Sequence, residues 1–258
     1  MDHARDTIEI ILKNTTRLER SFTVIFKQDT LDYLIDVKRN NSKEWFSENK
    51  ERYKDSLLIP FKEFVILLSE VMLKIDPEFE VEPRVDKTIS RIYRDTRFSK
   101  DKSLYKNKAW VTFKKKGVDR IDYPTFFFEL SPYDFRYGMG FFRASIKSMD
   151  AIRDKIDADE KKFFKIINQI HTEDIFSLVG DLYKRNRYQG TQDNVASWYN
   201  RKNLYLAHHS ENINEIFFDK FIDRLKEDYG SLSLLYYFFI EALNEKWLES
   251  EGFEMWKN

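Results

Sequence analysis

The hydrophobic pattern of this 258-residue chain changes its period near residue 88. Before that point, apolar residues recur every three or four positions, which is the spacing of amphipathic helices. From Thr88 onward the chain breaks into short runs typical of strands. Helical spacing returns near Ile146 and again near Phe217. This separation of helical and strand-like stretches predicts an α+β fold.

Three helices are predicted before residue 80. They cover Thr30–Arg39, Ser42–Lys54 and a stretch from Phe61 to Ile75. Ser42 is of a residue type that favours the helix N-cap, because its hydroxyl accepts a bond from a free backbone N–H. Asp76-Pro77 is expected to end the third helix, since proline disfavours helical backbone in the residue before it.

The strand-like runs lie in the middle of the chain and are separated by short turns. They cover Thr88–Asp95, Ala109–Lys115, Thr125–Leu130, Phe135–Arg143 and Phe176–Tyr183. Short connections favour antiparallel neighbours. We therefore predict a central, mostly antiparallel, curved sheet of five or six strands, flanked by N-terminal, middle and C-terminal helices.

Composition limits the class of protein. There is no cysteine, which excludes a disulfide scaffold and cysteine-ligated zinc, and the four histidines lack the spacing of helical metal sites. The most apolar stretch, Leu234–Ile240, is too short to cross a membrane. We expect a cytoplasmic protein with no cofactor, no metal and no membrane contact.

Its domains are predicted as an N-terminal extension over residues 1–24, expected to be helical, and one domain over residues 25–258.

Charge is distributed unevenly along a chain whose net charge is zero. Between Arg84 and Lys116 there are twelve lysines and arginines but only three aspartates. If this segment is extended, Arg91, Tyr93, Asp95 and Arg97 project from one face. Arginines bind phosphate and tyrosines can stack on bases. The ligand-binding candidates are Arg91, Tyr93, Arg94, Arg97, Lys102, Tyr105 and Lys106.

Two carboxylates are candidates for catalysis. Asp95 lies inside the basic segment, and Glu129 interrupts the apolar run around Phe127 and Phe128. Either side chain could act as a general base, or the two could hold a metal together. The alternative is structural: Asp95 would pair with Arg91, Arg97 or a lysine, and Glu129 with Arg91 or Arg94. The lysines would then protect a sheet edge.

Other motifs indicate packing rather than chemistry. Gly138-Met139-Gly140 is too short and too strand-like to cradle a phosphate, and is expected to mark a bulge or close packing. Trp45-Phe46 and Tyr53 lie at spacings typical of a buried helix face. His208 and His209 are adjacent and would point to opposite sides of a strand.

Several motifs resemble one known family. The run from Arg91 to Asn107 resembles the signature of the bacterial and fungal family called domain of unknown function 2461. Further matching stretches are Asn40–Phe46, Asn49-Lys50, Tyr53, Phe127–Pro132 and Gly138–Gly140. The resemblance covers about residues 25 to 250, although Leu104 stands where members usually have proline. It implies an α+β fold and implies no reaction, substrate or catalytic residue.

Three functions are compatible with these observations. The leading hypothesis is binding of an anionic, phosphate-bearing ligand, such as a nucleotide, a sugar phosphate or single-stranded nucleic acid. The second is an enzyme acting on a phosphorylated or nucleotide substrate through Asp95 and Glu129. The third is a structural or protein-interaction module that binds an acidic partner. Oligomeric state is left open.

Overall fold

The computed structural model describes residues 24–97, 100–118, 122–171, 175–188, 190 and 193–255. The extension predicted over residues 1–24 lies, except for Val24, outside the described residues. The helices are α1 (Gln28–Arg39), α2 (Lys43–Glu48), α3 (Lys50–Tyr53), α4 (Ile59–Ile75), α5 (Ile146–Ala158), α6 (Glu160–His171), α7 (Asp193–Tyr199), α8 (Phe221–Ser231) and α9 (Ser233–Met255). Lys54–Leu58 forms a π-helical turn and Ile213–Phe217 a 3-10 helix.

The described part of the chain contains one antiparallel, curved sheet of five strands. The strands are β1 (Ala109–Phe113), β2 (Thr125–Leu130), β3 (Phe135–Phe141), β4 (Ser177–Val179) and β5 (Leu204–Ser210). Their order across the sheet is β1-β2-β3-β5-β4. Ser177 of β4 pairs with Ala207 of β5, and Val179 pairs with Tyr205. The predicted α+β class is confirmed.

Local signals set the ends of the early helices. Ser42 is the N-cap of α2, and its hydroxyl accepts a hydrogen bond of 3.2 Å from the backbone N–H of Trp45. The helix predicted over Ser42–Lys54 is divided at Asn49, whose side chain donates to the Trp45 carbonyl at 2.9 Å. A π-helical turn follows, next to Pro60, which has no N–H to continue regular α-helical bonding.

No helix among the described residues is long and apolar enough to span a membrane.

The strand predicted over Thr88–Asp95 does not form as a regular strand. The segment makes isolated antiparallel bridges instead, Ile89 with Val111 and Tyr93 with Tyr105. It changes partner along its length, because its first residues bond to β1 and its last to residues 104–106. Neither pairing is therefore long enough to form a ladder.

The chain divides into two compact units. The first contains the described residues up to Phe113 together with Phe127–Arg136 and His209–Asp228. Its core is a cluster of phenylalanine rings around Phe128, which lies 4.5 Å from Phe64 and 6.0 Å from Phe221 between ring centroids. These contacts pack α4 and α8 against β2.

The second unit contains Lys114–Phe126, Tyr137–His208 and the described residues from Tyr229 onward. Tyr229 of α8 packs edge-on against Tyr137 of β3, at 5.8 Å. Gly138 lies so close to β5 that an added Cβ would stand 1.8 Å from the Leu206 carbonyl oxygen. Gly140 also faces β5 and has a φ of +145°. Close packing is thus the correct interpretation of this glycine pair.

Candidate functional site

The predicted site residues lie in the first unit, and five of the ligand-binding candidates, Arg91, Tyr93, Arg94, Tyr105 and Lys106, lie on two short stretches that pair with each other. The N–H of Arg94 donates to the Leu104 carbonyl, and that of Lys106 donates to the Ile92 carbonyl, both at 2.8 Å. Asn41 holds the second stretch by both ends of its amide: Oδ1 accepts from the Tyr105 N–H at 3.0 Å and Nδ2 donates to the Tyr105 carbonyl at 2.9 Å. We call residues 91–94 and 104–106 the paired segment.

Side chains alternate along the first stretch as expected. Arg91, Tyr93, Asp95 and Arg97 are exposed, whereas Ile92 between the first two is buried. That the four side chains project from one face of a strand stays a prediction.

Three arginines of the basic stretch from Arg84 to Lys116 are paired with aspartates of the same stretch, and Arg84 is paired with Glu82 just before it. Each of its three aspartates holds one arginine. The contacts are Arg91 Nε to Asp86 Oδ1 at 2.7 Å, Arg94 Nη2 to Asp101 Oδ2 at 3.0 Å, and Arg97 Nη2 to Asp95 Oδ2 at 2.7 Å. Three of the twelve positive charges therefore have a neutralising partner supplied by the segment itself.

The two candidate catalytic carboxylates hold different cations. Hydrogen bonds from the side chain and then the backbone of Arg97 lower the pKa of Asp95 to about 2. Glu129 is 18% exposed and accepts from Lys108 Nζ at 3.2 Å and Arg136 Nε at 3.0 Å, not from Arg91 or Arg94. Nowhere in the described ranges do three or more potential metal-ligating histidine or acidic side chains come together. Both carboxylates are therefore paired with cationic side chains.

Lys106 has no carboxylate partner among the described residues. Its ammonium donates to the Arg91 carbonyl at 2.5 Å and lies 4.2 Å from the centre of the Trp110 ring. Burial, followed by the positive charges of Arg94 and Arg91, lowers the pKa of Lys106 to about 8. Lys108 acts in the same direction, while Asp86 opposes it. The ammonium thus lies in a positive electrostatic potential.

Tyr105 lies in a different environment from its neighbour in sequence, Lys106. It is 3% exposed and stacks on Phe46 of α2 at a centroid distance of 4.5 Å. Tyr93 is 56% exposed, and its ring is 5.1 Å from that of Tyr105. Adjacent residues of an extended chain point to opposite sides. Lys106 therefore lies among cations and beside Trp110, whereas Tyr105 lies among aromatic rings.

Two further ligand-binding candidates make contacts of their own. Lys102 donates to the Thr96 carbonyl at 2.8 Å, and Arg97 is engaged by Asp95. Sequence analysis missed Trp110 and Lys108 as neighbours of Lys106, and Asn41 as the clamp on Tyr105. The one available signal was Asn41, which belongs to a matching motif; nothing in the sequence linked it to a residue 64 positions away.

Comparison with known proteins gives one match. The model of a family described as conserved hypothetical protein (DUF2461) matches residues 29–238. No curated protein matches the chain significantly. The matched region includes the paired segment, Trp110 and Glu129.

Proposed function

The chain belongs to the DUF2461 family, and from that premise we propose that it binds an anionic, phosphate-bearing ligand at Lys106. The class includes nucleotides, sugar phosphates and single-stranded nucleic acid. The positive charges of Arg91, Arg94 and Lys108 act on the Lys106 ammonium, and Trp110 supplies an aromatic surface beside it.

The observation that carries this proposal is the uncompensated charge of Lys106. An ammonium has three N–H donors, and only one contact to a protein acceptor, the Arg91 carbonyl, is found among the described residues. Nearby cations already disfavour its charged form. A bound anion would relieve that repulsion, so the free energy of binding includes the removal of an existing electrostatic cost.

The neighbouring ion pairs support the same proposal in a different way. Asp86 and Asp101 contact the guanidinium groups of Arg91 and Arg94 and favour the orientations seen. A guanidinium has five N–H donors, and a single carboxylate contact leaves some of them for a second oxygen. Preorganised donors lose less conformational entropy when a ligand binds.

The test compares two lysines of the same segment. We would measure thermal stabilisation at low salt by sulfate, a nucleoside triphosphate, ribose 5-phosphate and a thymidine oligonucleotide. The variants are Lys106→Gln and, as the matched control, Lys102→Gln, which removes an exposed cation whose partner among the described residues is the Thr96 carbonyl. Ligands that bind the native state alone raise its melting temperature.

We expect stabilisation in the wild type and in Lys102→Gln, and its loss in Lys106→Gln. Added sodium chloride should weaken every hit, because ion contacts are screened. An equal loss of stabilisation in both variants would mean that the ligands respond to overall positive charge, and would contradict a specific site at Lys106. If none of the four probes stabilises the wild type, the proposal is wrong and the protein-interaction hypothesis takes its place.

A cytoplasmic location is part of the same proposal.

A further inference from the structure

A separate group of cations lies in the second unit, around the ring of Tyr183. The guanidinium carbon of Arg187 lies 4.4 Å from the centre of this ring, and the ammonium of Lys202 lies 5.8 Å from it. The guanidinium of Arg153 is a third neighbour at 5.2 Å, but it is buried and paired with Asp150. Arg187 and Lys202 are exposed. Two accessible cations therefore converge on one aromatic ring.

These two cations have no counter-charge in contact with them. No carboxylate of the described residues forms an ion pair with Arg187 or Lys202. Asp181, just before Tyr183, has its carboxylate engaged elsewhere, because Oδ2 accepts from Asn203 Nδ2 at 3.2 Å. Its backbone carbonyl is what accepts from the Lys202 N–H, at 2.7 Å. Like charges held close together repel each other, and a bound anion would relieve that repulsion.

The loop that carries the cations is held at both ends by Asn200. The Asn200 carbonyl accepts from the Tyr183 N–H at 2.8 Å, and the side-chain Oδ1 accepts from the Arg187 N–H at 2.7 Å. Lys184 and Arg185, which lie between these two points, are exposed as well. Four exposed cations thus lie around a backbone that is already positioned. Preorganised groups lose less conformational entropy when a ligand binds.

This arrangement combines the two contacts by which proteins bind single-stranded nucleic acid. Cations follow the backbone phosphates, and flat side chains stack on the bases. The guanidinium of Arg187 is planar, lies against the Tyr183 ring and belongs to an exposed side chain. A strand of this kind lies along an open surface and needs no enclosed cavity. A lipid headgroup or a double helix would use the charges but would leave the planar face without a base.

We propose that Tyr183, Lys184, Arg185, Arg187 and Lys202 form a binding surface for single-stranded nucleic acid. The phosphates contact the four cations, and a base stacks on the Arg187–Tyr183 pair. We call these five residues the Tyr183 patch. The patch goes beyond the proposed anion site, because it belongs to the other unit and shares no residue with that site.

The first experiment measures the Kd of a fluorescein-labelled adenosine oligonucleotide by fluorescence anisotropy at low salt. Purines offer a larger stacking surface than the thymidine strand used for the first site. Lys202→Gln removes one cation of the patch, and the matched control, Lys165→Gln, removes an exposed lysine of α6 in the same unit. The Kd should rise several-fold in Lys202→Gln alone, and its salt dependence should become less steep by about 0.7 in log–log slope. An equal rise in both variants would mean that overall charge governs binding, and would overturn the patch.

The second experiment separates stacking from charge. Arg187→Lys keeps the positive charge but loses the planar group, so the Kd should rise by about five-fold or more while the salt dependence stays the same. The labelled strand should bind the wild type more weakly once it is annealed to its complement. An unchanged Kd in Arg187→Lys, or tighter binding of the duplex, contradicts the proposed mode of binding. Melting temperatures close to that of the wild type would show that the variants are folded.

Further controls distinguish this patch from the anion site and from a lipid surface. The adenosine strand should still bind Lys106→Gln, whose substitution lies in the first unit. Loss of binding there, with retention in Lys202→Gln, would assign the strand to the first unit and overturn the patch. Sedimentation with phosphatidylserine vesicles tests the other partner. Vesicle binding that depends on Lys202 without any binding of the strand, or no binding of the strand by the wild type, shows that the proposal is wrong.

Discussion

At the scale of the residue, the partner of each charge decides which cations remain for a ligand. Arg91, Arg94 and Arg97 each hold an aspartate only a few positions away. Exposed pairs of this kind contribute little to stability, typically below about 1 kcal/mol. Their larger effect is on availability, since a paired arginine adds less to the local potential than an unpaired lysine such as Lys106.

The first prediction concerns sulfate, whose charge does not change between pH 6 and 10. The pKa of Lys106 is lowered to about 8, so the ammonium loses its proton as pH rises through that value. Sulfate binds the protonated form, and its affinity should therefore fall above about pH 8. Titration calorimetry in buffers of different ionisation enthalpy should also detect proton uptake on binding. Lys106→Arg keeps its charge, and affinity that falls equally in this variant would contradict the assignment to Lys106.

A second prediction concerns Asp95. Its pKa is lowered to about 2, first by the hydrogen bond from the Arg97 side chain. In Arg97→Ala the pKa should return toward the ordinary value of 3.8, observable as the carboxyl carbon shift in an NMR titration. Because the folded-state pKa is depressed, any stability from this pair is present above the unfolded pKa and is lost as pH falls toward 2. Lys102→Ala, which removes a lysine bonded to a carbonyl, should leave the titration unchanged.

At the scale of the element, local sequence predicted helix ends better than strand pairing. The Ser42 cap and the end of α4 at Asp76 depend on contacts within four residues. The segment Thr88–Asp95 has strand-like composition but makes only isolated bridges. Whether an extended stretch becomes a strand depends on a partner of sufficient length, and composition carries no information about that partner.

A third prediction tests the contact between β3 and β5. Gly138→Ala would place a Cβ 1.8 Å from the Leu206 carbonyl oxygen, and the backbone on both sides has little room to move. We expect a loss of roughly 3 kcal/mol in the free energy of unfolding, measured by urea denaturation. Gly230→Ala is the control: it lies in α8 with nothing within 4 Å of its Cβ, and should stabilise by about 0.5 kcal/mol. Equal effects of the two changes would contradict close packing.

At the scale of the whole molecule, the sequence predicts one domain over residues 25–258, and this stays a prediction that unfolding experiments can test. Strands β2, β3 and β5 each begin in one compact unit and end in the other. Unfolding of either unit would therefore remove part of a strand that belongs to both. We infer that the two units unfold together.

The corresponding prediction uses one buried phenylalanine from each unit. Phe128→Ala in the first unit and Phe163→Ala in the second should each lower the free energy of unfolding by roughly 3–5 kcal/mol. Each should shift one common transition when unfolding is followed by both tryptophan fluorescence and far-ultraviolet circular dichroism. Two separate transitions, each sensitive to one variant, would show that the units unfold independently.

The sequence by itself determined the α+β class, the positions of most helices and of β1 to β3, and membership of a family. These properties depend on periodicity and on neighbours close in the chain. Only the tertiary structure decided that Asn41 clamps Tyr105, that Glu129 holds Lys108 and Arg136, and that Lys106 and Tyr105 belong to different surroundings. The physical reason is that charge pairing and burial depend on distances between residues far apart in the chain, which the linear pattern does not encode.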